Sequence, residues 1–424
     1  MSREIRAIQP VNRVKARIRL PGSKSITHRA LLMAALARGE SRIDGGLDAE
    51  DTRWTAGALE KLGVKILFEG DSWRVTPPAR RWDPPGGPLF LGASGTSMRL
   101  VAAVAAAGEG RFVLDGAPRL RERPLGPVLD ALKSLGVEHR CLEKEGYPPV
   151  EISSRGLAGG RVRVDARESS QFLSALLVAA PCAAREMRVE WEEPAASFPY
   201  VKMTLAMMER WGIPFRRPAS NVVTVPAPRD YRALRYRVEG DASSASYFWA
   251  AAALTGGEVF TYPLPSDSLQ GDSRFLEVLE EMGCKVRWEG NGVRVRGADA
   301  LRPLDIDMNA MPDMVPTLAV LAAFARGETR IGNVAHLRIK ESDRLRVTAS
   351  ELAKLGVDAE ELPDGLVVRG GEVRGAAVEA HDDHRIAMAF AVAGLKAPGM
   401  EIRGAEAVSK SFPSFWDLFQ GLAP

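Results

Sequence analysis

Cysteine is scarce: Cys141, Cys182 and Cys284 stand far apart in a chain of 424 residues. An odd, scattered set builds no disulfide framework and offers no spaced metal motif, so buried structural thiols are expected. Aromatic residues reach only 7%, thin for a surface that stacks nucleobases. Charge of one sign is also lacking, since 57 basic residues against 54 acidic ones leave a formal +3. That balance argues against a broad basic surface for nucleic acid while leaving room for a local basic site. No apolar run reaches bilayer length. The opening stretch MSREIRAIQPVNRVKARIRLPG alternates charged and apolar residues, has no apolar signal-peptide core and reads as strand. A cytoplasmic protein with no membrane partner is therefore expected. Nucleophile elbow, P-loop and dinucleotide glycine fingerprint are all missing.

What remains is a soluble, globular composition, 46% hydrophobic and 26% charged. The length exceeds one ordinary core and predicts two domains. An internal repeat organises it. A small or polar cluster opens an Ala-rich helix, followed by a Gly-bounded turn, a strand, an amphipathic helix and another strand. The Ala-rich segments begin at Arg29, Arg99, Phe172, Ser246, Thr317 and Arg385, roughly 70 residues apart. Helices apolar on nearly every face must be buried, whereas partners such as TAGALEKLGVKILF carry Glu and Lys between their leucines and belong at the surface. Buried helices inside and strands outside make an inverted α/β arrangement. Six units split into two halves of three near Arg229–Arg237, and a cleft between such halves is a favoured place for a ligand.

Each Ala-rich helix opens on its own tag: GSKSITHR, GASGTSMR, RESSQF, GDASSAS, MPDMVP and HDDHR. Ser, Thr and Asp there are ordinary N-caps, and Asp313 has that reading too. The cations are harder to place. Lys24, Arg29, Arg99 and Arg385 sit near the positive end of a helix dipole, where a base is unfavourable. Beside Ser-Gly turns that expose N–H groups they suggest anion sites. Two more basic clusters, GAPRLRERPLG (Arg119, Arg121, Arg123) and HLRIKESDRLR (Arg338, Lys340, Arg344, Arg346), lie in loops. Either alone reads as a solvated face. Recurring at matching points of the repeat, they predict a ligand with several negative charges, of the kind Arg binds bidentately. Asp313, Glu341, Asp383 and His384 are the candidate acid–base groups. His381, Asp382 and His384 could suggest a metal, but no third His or Cys lies nearby in sequence.

Nine stretches together resemble the 5-enolpyruvylshikimate-3-phosphate synthase family over essentially the whole chain: LPGSKSITHRALLMAALARG, LGASGTSMRL, GAPRLRERPLGPVLDAL, ESSQFLSALL, VEGDASSASYF, MNAMPDMVPT, IKESDRLR, DDHRIAMA and KSFPSF. The resemblance implies two inside-out α/β barrel-like domains, each with three βαβαββ repeats. It places residues 21–235 in the N-terminal domain, and 1–20 with 236–424 in the C-terminal one. It implies transfer of the enolpyruvyl group of phosphoenolpyruvate to the 5-hydroxyl of 3-phosphoshikimate, by addition and then elimination, with no cofactor. Lys24, Ser25, Arg29, Ser169, Ser170, Gln171, Ser197, Asp313, His336 and Lys340 match contacts to 3-phosphoshikimate. Lys24, Gly95, Arg123, Gln171, Arg344, Arg385 and Lys410 match the phosphoenolpyruvate pocket. Asp313, Glu341 and Lys24 match the catalytic groups.

Two positions depart from the family, Ala93 and His336, where Asn is common. Gly95 lies where the family's inhibitor glyphosate presses, and sensitivity is expected because Gly adds no methyl there. A monomer that closes on its first substrate is the expected form. The sister family acting on UDP-N-acetylglucosamine is the near alternative. It usually carries a Cys in the mobile arginine loop, and Gly116–Pro127 here has none. A non-catalytic binder of RNA or polyphosphate is the other alternative, and the charge and aromatic content speak against it.

Overall fold

The computed structural model describes residues 3–79, 81–82 and 84–422. It divides into two compact units, Lys24–Val238 and Met1–Ser23 with Glu239–Pro424. The chain passes from one to the other at Ser23–Lys24 and at Val238–Glu239.

In the Lys24–Val238 unit three sheets repeat one order. The first joins Arg235–Arg237, Ser41–Asp44, Ser72–Thr76 and Lys65–Glu69. The second joins Leu89–Phe90, Glu109–Asp115, Val150–Arg155 and Glu138–Cys141. The third joins Gly160–Val164, Met187–Trp191, Val222–Val225 and Arg216–Ala219. In each, the first pair is parallel and the other two pairs are antiparallel. A parallel pair needs a long crossover, and in the second and third sheets an Ala-rich helix supplies it.

The other unit repeats the order twice, with Lys15–Arg19, Glu258–Tyr262, Gly292–Arg296 and Lys285–Glu289, and with Asp305–Asp307, Glu328–Gly332, Gly365–Arg369 and Asp358–Leu362. Its third sheet has three strands, Ala377–Glu379, Glu401–Arg403 and Ile5–Ala7. Strand exchange is built in. Lys15–Arg19 pairs in parallel with Glu258–Tyr262, while Arg235–Arg237 pairs in parallel with Ser41–Asp44. These are the α/β repeats expected from the sequence.

The Ala-rich helices are the cores. Lys24–Ala35, Gly95–Ala105 and Ser170–Ala179 serve one unit, and Ala242–Thr255, Val315–Ala323 and His384–Gly394 the other. Every residue of His384–Gly394 is buried. Such helices bury few large groups per residue, so the larger ones matter. Phe172, Leu173, Leu176 and Leu177 are each at most 1% exposed, and a fully buried side chain of this size is worth about 1.5–3 kcal/mol. Strands reach the outer surface, as the wholly exposed strand Arg216–Ala219 shows. Ser94, Ser169, Asp241 and Asp383 cap their helices by accepting from Ser97, Gln171, Ser244 and Arg385 N–H groups. No helix among the described residues is long and apolar enough to cross a membrane.

Candidate active site

Burying six helix starts inside the protein leaves their tags as the polar material of each unit, and the candidate residues collect there. In the Lys24–Val238 unit, Lys24 begins the first buried helix and its Nζ lies 3.1 Å from Asp51, a carboxylate with only 3% of its side chain exposed. A polar chain runs beneath this pair. His28 Nδ1 meets the Thr55 hydroxyl at 2.8 Å, Thr55 meets Ser97 at 2.8 Å, and Ser97 donates to the Asp51 carbonyl. Asp51 is a residue the sequence reading missed. It hides as a first-turn acid of Glu50–Lys61, an ordinary place for one.

Arg29 is buried and ties three helices together. Its guanidinium donates to Thr204 at 2.8 Å, to the Ser25 carbonyl at 2.9 Å, to Ser174 at 3.2 Å and to the Tyr200 carbonyl at 3.3 Å. All four partners are uncharged oxygens. Burial pushes the guanidinium down to about 10, because desolvation disfavours the charged form. A phosphate there would reverse that penalty.

Gly95 opens its helix directly against Arg123, which is itself 4% exposed. A Cβ built on Gly95 would lie 2.4 Å from Arg123 Cζ and 2.6 Å from both terminal nitrogens. Arg123 also reaches the Ala93 carbonyl at 3.5 Å, so the backbone at Ala93 contributes here. Ser169 and Ser170 are buried at the next helix start, and Gln171 donates its amide to Thr96 at 3.0 Å. Ser197 is buried with φ at 53°, in the left-handed region. Such a conformation costs about 1–3 kcal/mol and is characteristic of sites where a side chain must be aimed.

In the other unit, Asp313, Glu341, Arg344 and Arg385 form one ionic cluster. The cap positions of the turn Pro312–Met314 and of the helix Val315–Ala323 are Met311 and Met314, while Asp313 lies within that turn. Its two oxygens receive Arg344 Nη1 at 2.8 Å and Arg385 Nη2 at 2.7 Å, which overturns the plain N-cap reading. Arg344 donates further to Glu341 at 2.8 Å and to both oxygens of Asp383 at 2.8 and 3.1 Å. Asp383 is fully buried, receives Ser342 as well, and caps its helix through the Arg385 N–H. It does two jobs that the sequence shows as one. Arg385 reaches a buried tyrosine, Tyr247, at 3.4 Å, another contact the sequence did not reveal.

Charge explains the electrostatics. Burial alone would raise the Asp313 carboxyl, but Arg385, Arg344 and Lys340 outweigh it and hold the group well below the usual carboxylate range. Burial, then Lys340, pushes His336 down to about 3. That histidine is neutral near pH 7. Lys410 is buried at the end of the turn Ala405–Lys410.

Buried arginines against carboxylates, and a buried arginine against neutral oxygens, suit a reaction between anions. Residues 8–419 match the family model of EPSP synthase (3-phosphoshikimate 1-carboxyvinyltransferase). A 3-phosphoshikimate 1-carboxyvinyltransferase of Syntrophobacter fumaroxidans is 58% identical over 98% of this chain and 99% of the relative. One from Nostoc punctiforme is 42% identical over 97% of each chain. A solved EPSP synthase from Acinetobacter baumannii superposes with a TM-score of 0.82 at 28% identity, covering 100% of this chain and 98% of that one.

Proposed function

The chain belongs to the EPSP synthase family, and from that premise we propose that it transfers the carboxyvinyl group of phosphoenolpyruvate to the 5-hydroxyl of 3-phosphoshikimate, releasing inorganic phosphate. The observation that carries the reading is Asp313 clamped by Arg344 and Arg385. A carboxylate and two guanidiniums in one buried cluster supply a base together with anion donors.

The steps balance as follows. The 5-hydroxyl oxygen forms a bond to C2 of phosphoenolpyruvate, its proton passes to Asp313, and C3 gains a proton from Glu341 or Lys24. The tetrahedral adduct then breaks its C2–O bond to phosphate, which departs with the electron pair, and C3 returns a proton to restore the double bond. General acid–base transfers of this kind contribute about 10²–10⁴-fold each.

Lys24, Arg123, Gln171, Arg344, Arg385 and Lys410, with the Gly95 N–H, are assigned to the carboxylate and phosphate of phosphoenolpyruvate. Lys24, Ser25, Arg29, Ser169, Ser170, Gln171, Ser197, Asp313, His336 and Lys340 are assigned to 3-phosphoshikimate. Ligand binding also tunes the base. Arg385 and Arg344 hold Asp313 low against the pull of burial, and an anion that draws their charge away makes Asp313 more basic when the proton must move.

Action as a cytoplasmic monomer on two small molecules, without nucleic acid or membrane, is part of the proposal. Mass spectrometry of a mixture of both substrates with enzyme tests it. A product carrying the added carboxyvinyl group is expected, and unaltered 3-phosphoshikimate would contradict it.

A further inference from the structure

Arg99 is the one helix-start cation that the assignments above leave without a task. It is 2% exposed, and its guanidinium is spent on protein. Nη1 donates to Gln171 Oε1 at 2.7 Å, while Nε and Nη2 both point at the Pro124 carbonyl at 3.4 and 3.2 Å. Its carbon lies 5.1 Å from the Phe172 ring centroid, on the face side. The anion site expected at Arg99 from its sequence position is instead a brace between the start of the helix Ser170–Ala179 and the loop that carries Pro124.

Both braced groups neighbour assigned substrate contacts. Pro124 follows Arg123 in the chain, and Gln171 is assigned to both substrates. Arg has five N–H donors and no acceptor. A glutamine facing it must therefore turn its oxygen inward and its amide nitrogen outward. Here Nε2 donates to Thr96 at 3.0 Å and keeps a second hydrogen. Without the arginine, a half-turn of the amide would exchange donor for acceptor at little local cost. An anionic ligand would then meet an oxygen where it needs an N–H.

We propose that Arg99 is a positioning residue that fixes the donor-out orientation of the Gln171 amide and the placement of the Arg123 loop, so that both present hydrogens to anionic substrate groups. This rests on the reaction proposed above, and Arg99 acts through Gln171 and Arg123, touching no substrate itself.

The test is a double-mutant cycle with Arg99→Gln, Gln171→Ala and the double variant, measured as kcat and KM for each substrate. Loss of a buried, charge-assisted contact predicts a fall of about 10- to 100-fold in kcat/KM for Arg99→Gln. Most of it should lie in KM for phosphoenolpyruvate, because both Gln171 and Arg123 serve that ligand. In the Gln171→Ala background the same change should cost several-fold less, since residues acting as one unit are not additive. Arg99→Lys keeps the buried charge but cannot fork to two carbonyl-type acceptors. It should recover part of the loss, and it replaces Arg99→Gln in the cycle if that variant does not fold. Losses that simply multiply, with melting temperatures falling in parallel, would overturn the inference while leaving the reaction intact. A wild-type enzyme that turns over neither substrate would overturn the reaction and the inference with it.

Discussion

Arg123 lies against the bare Cα of Gly95, with its guanidinium carbon 2.4 Å from the point a methyl group would occupy. Real Cβ atoms do not approach so closely, so an alanine at 95 must push the guanidinium aside. The long arginine side chain can move, and the helix start need not.

Gly95→Ala should therefore fold normally and bind phosphoenolpyruvate worse. A displaced charged hydrogen bond of about 1.5–3 kcal/mol corresponds to roughly a 10- to 100-fold rise in KM, with kcat changed much less. Tolerance to glyphosate should rise alongside. Steady-state kinetics on the variant checks this, and an unchanged KM would mean that Arg123 does not serve this ligand.

The quenching of Asp313 predicts a gap between two pH profiles. The profile of kcat/KM reports the free enzyme and that of kcat the complex. Arg385 and Arg344 depress Asp313 in the free enzyme, so the acid limb of kcat/KM should lie at lower pH than that of kcat. Asp313→Asn should lower kcat by about 10²–10⁴-fold, as loss of a general base does. Coincident acid limbs would contradict the exchange of the arginines between Asp313 and ligand.

His336 predicts a pH dependence of stability. Its folded value, about 3, lies below the unfolded reference of 6.5. The unfolded chain thus binds the extra proton in between, and stability present above pH ~6.5 is lost as pH falls toward 3. The slope approaches ~1.4 kcal/mol per pH unit in that window. Denaturant unfolding at pH 7.5 and 5.0 should show a larger loss in wild type than in His336→Asn. Equal losses would sink the point.

Asp272 has the opposite sign. It is buried with an accepted hydrogen bond from Ser243, and burial, then Asp313, raises it to about 6 from 3.8. The folded state holds the proton more tightly, so stability falls as pH rises from ~4 to ~6. Asp272→Asn removes that cost and should gain about 1–3 kcal/mol at pH 8. Its advantage in melting temperature over wild type should widen between pH 4 and pH 8, and a constant difference would contradict the account.

The helices and their caps were legible because they are local. Ser94, Ser169, Asp241 and Asp383 each stand just before an apolar run and bond within three residues. The candidate residues were legible as recurring tags at matching points of the repeat. Their partnerships were not. Asp313 meets Arg344 and Arg385 from 31 and 72 positions away, and no local pattern distinguishes that carboxylate from an N-cap. Arg99 read as a cation seeking an anion because Gln171, 72 positions on, has no periodic relation to it. The placement of residues 1–20 came from the family resemblance and from no local pattern, and which edge Arg235–Arg237 finds is likewise invisible locally.

Phosphate release with phosphoenolpyruvate, run in parallel with 3-phosphoshikimate and with UDP-N-acetylglucosamine, tests the central claim most directly. Release with 3-phosphoshikimate alone, abolished by Asp313→Ala, is the predicted result. Release with the nucleotide sugar alone would keep the chemistry and contradict the substrate, and release with neither would contradict the reaction itself.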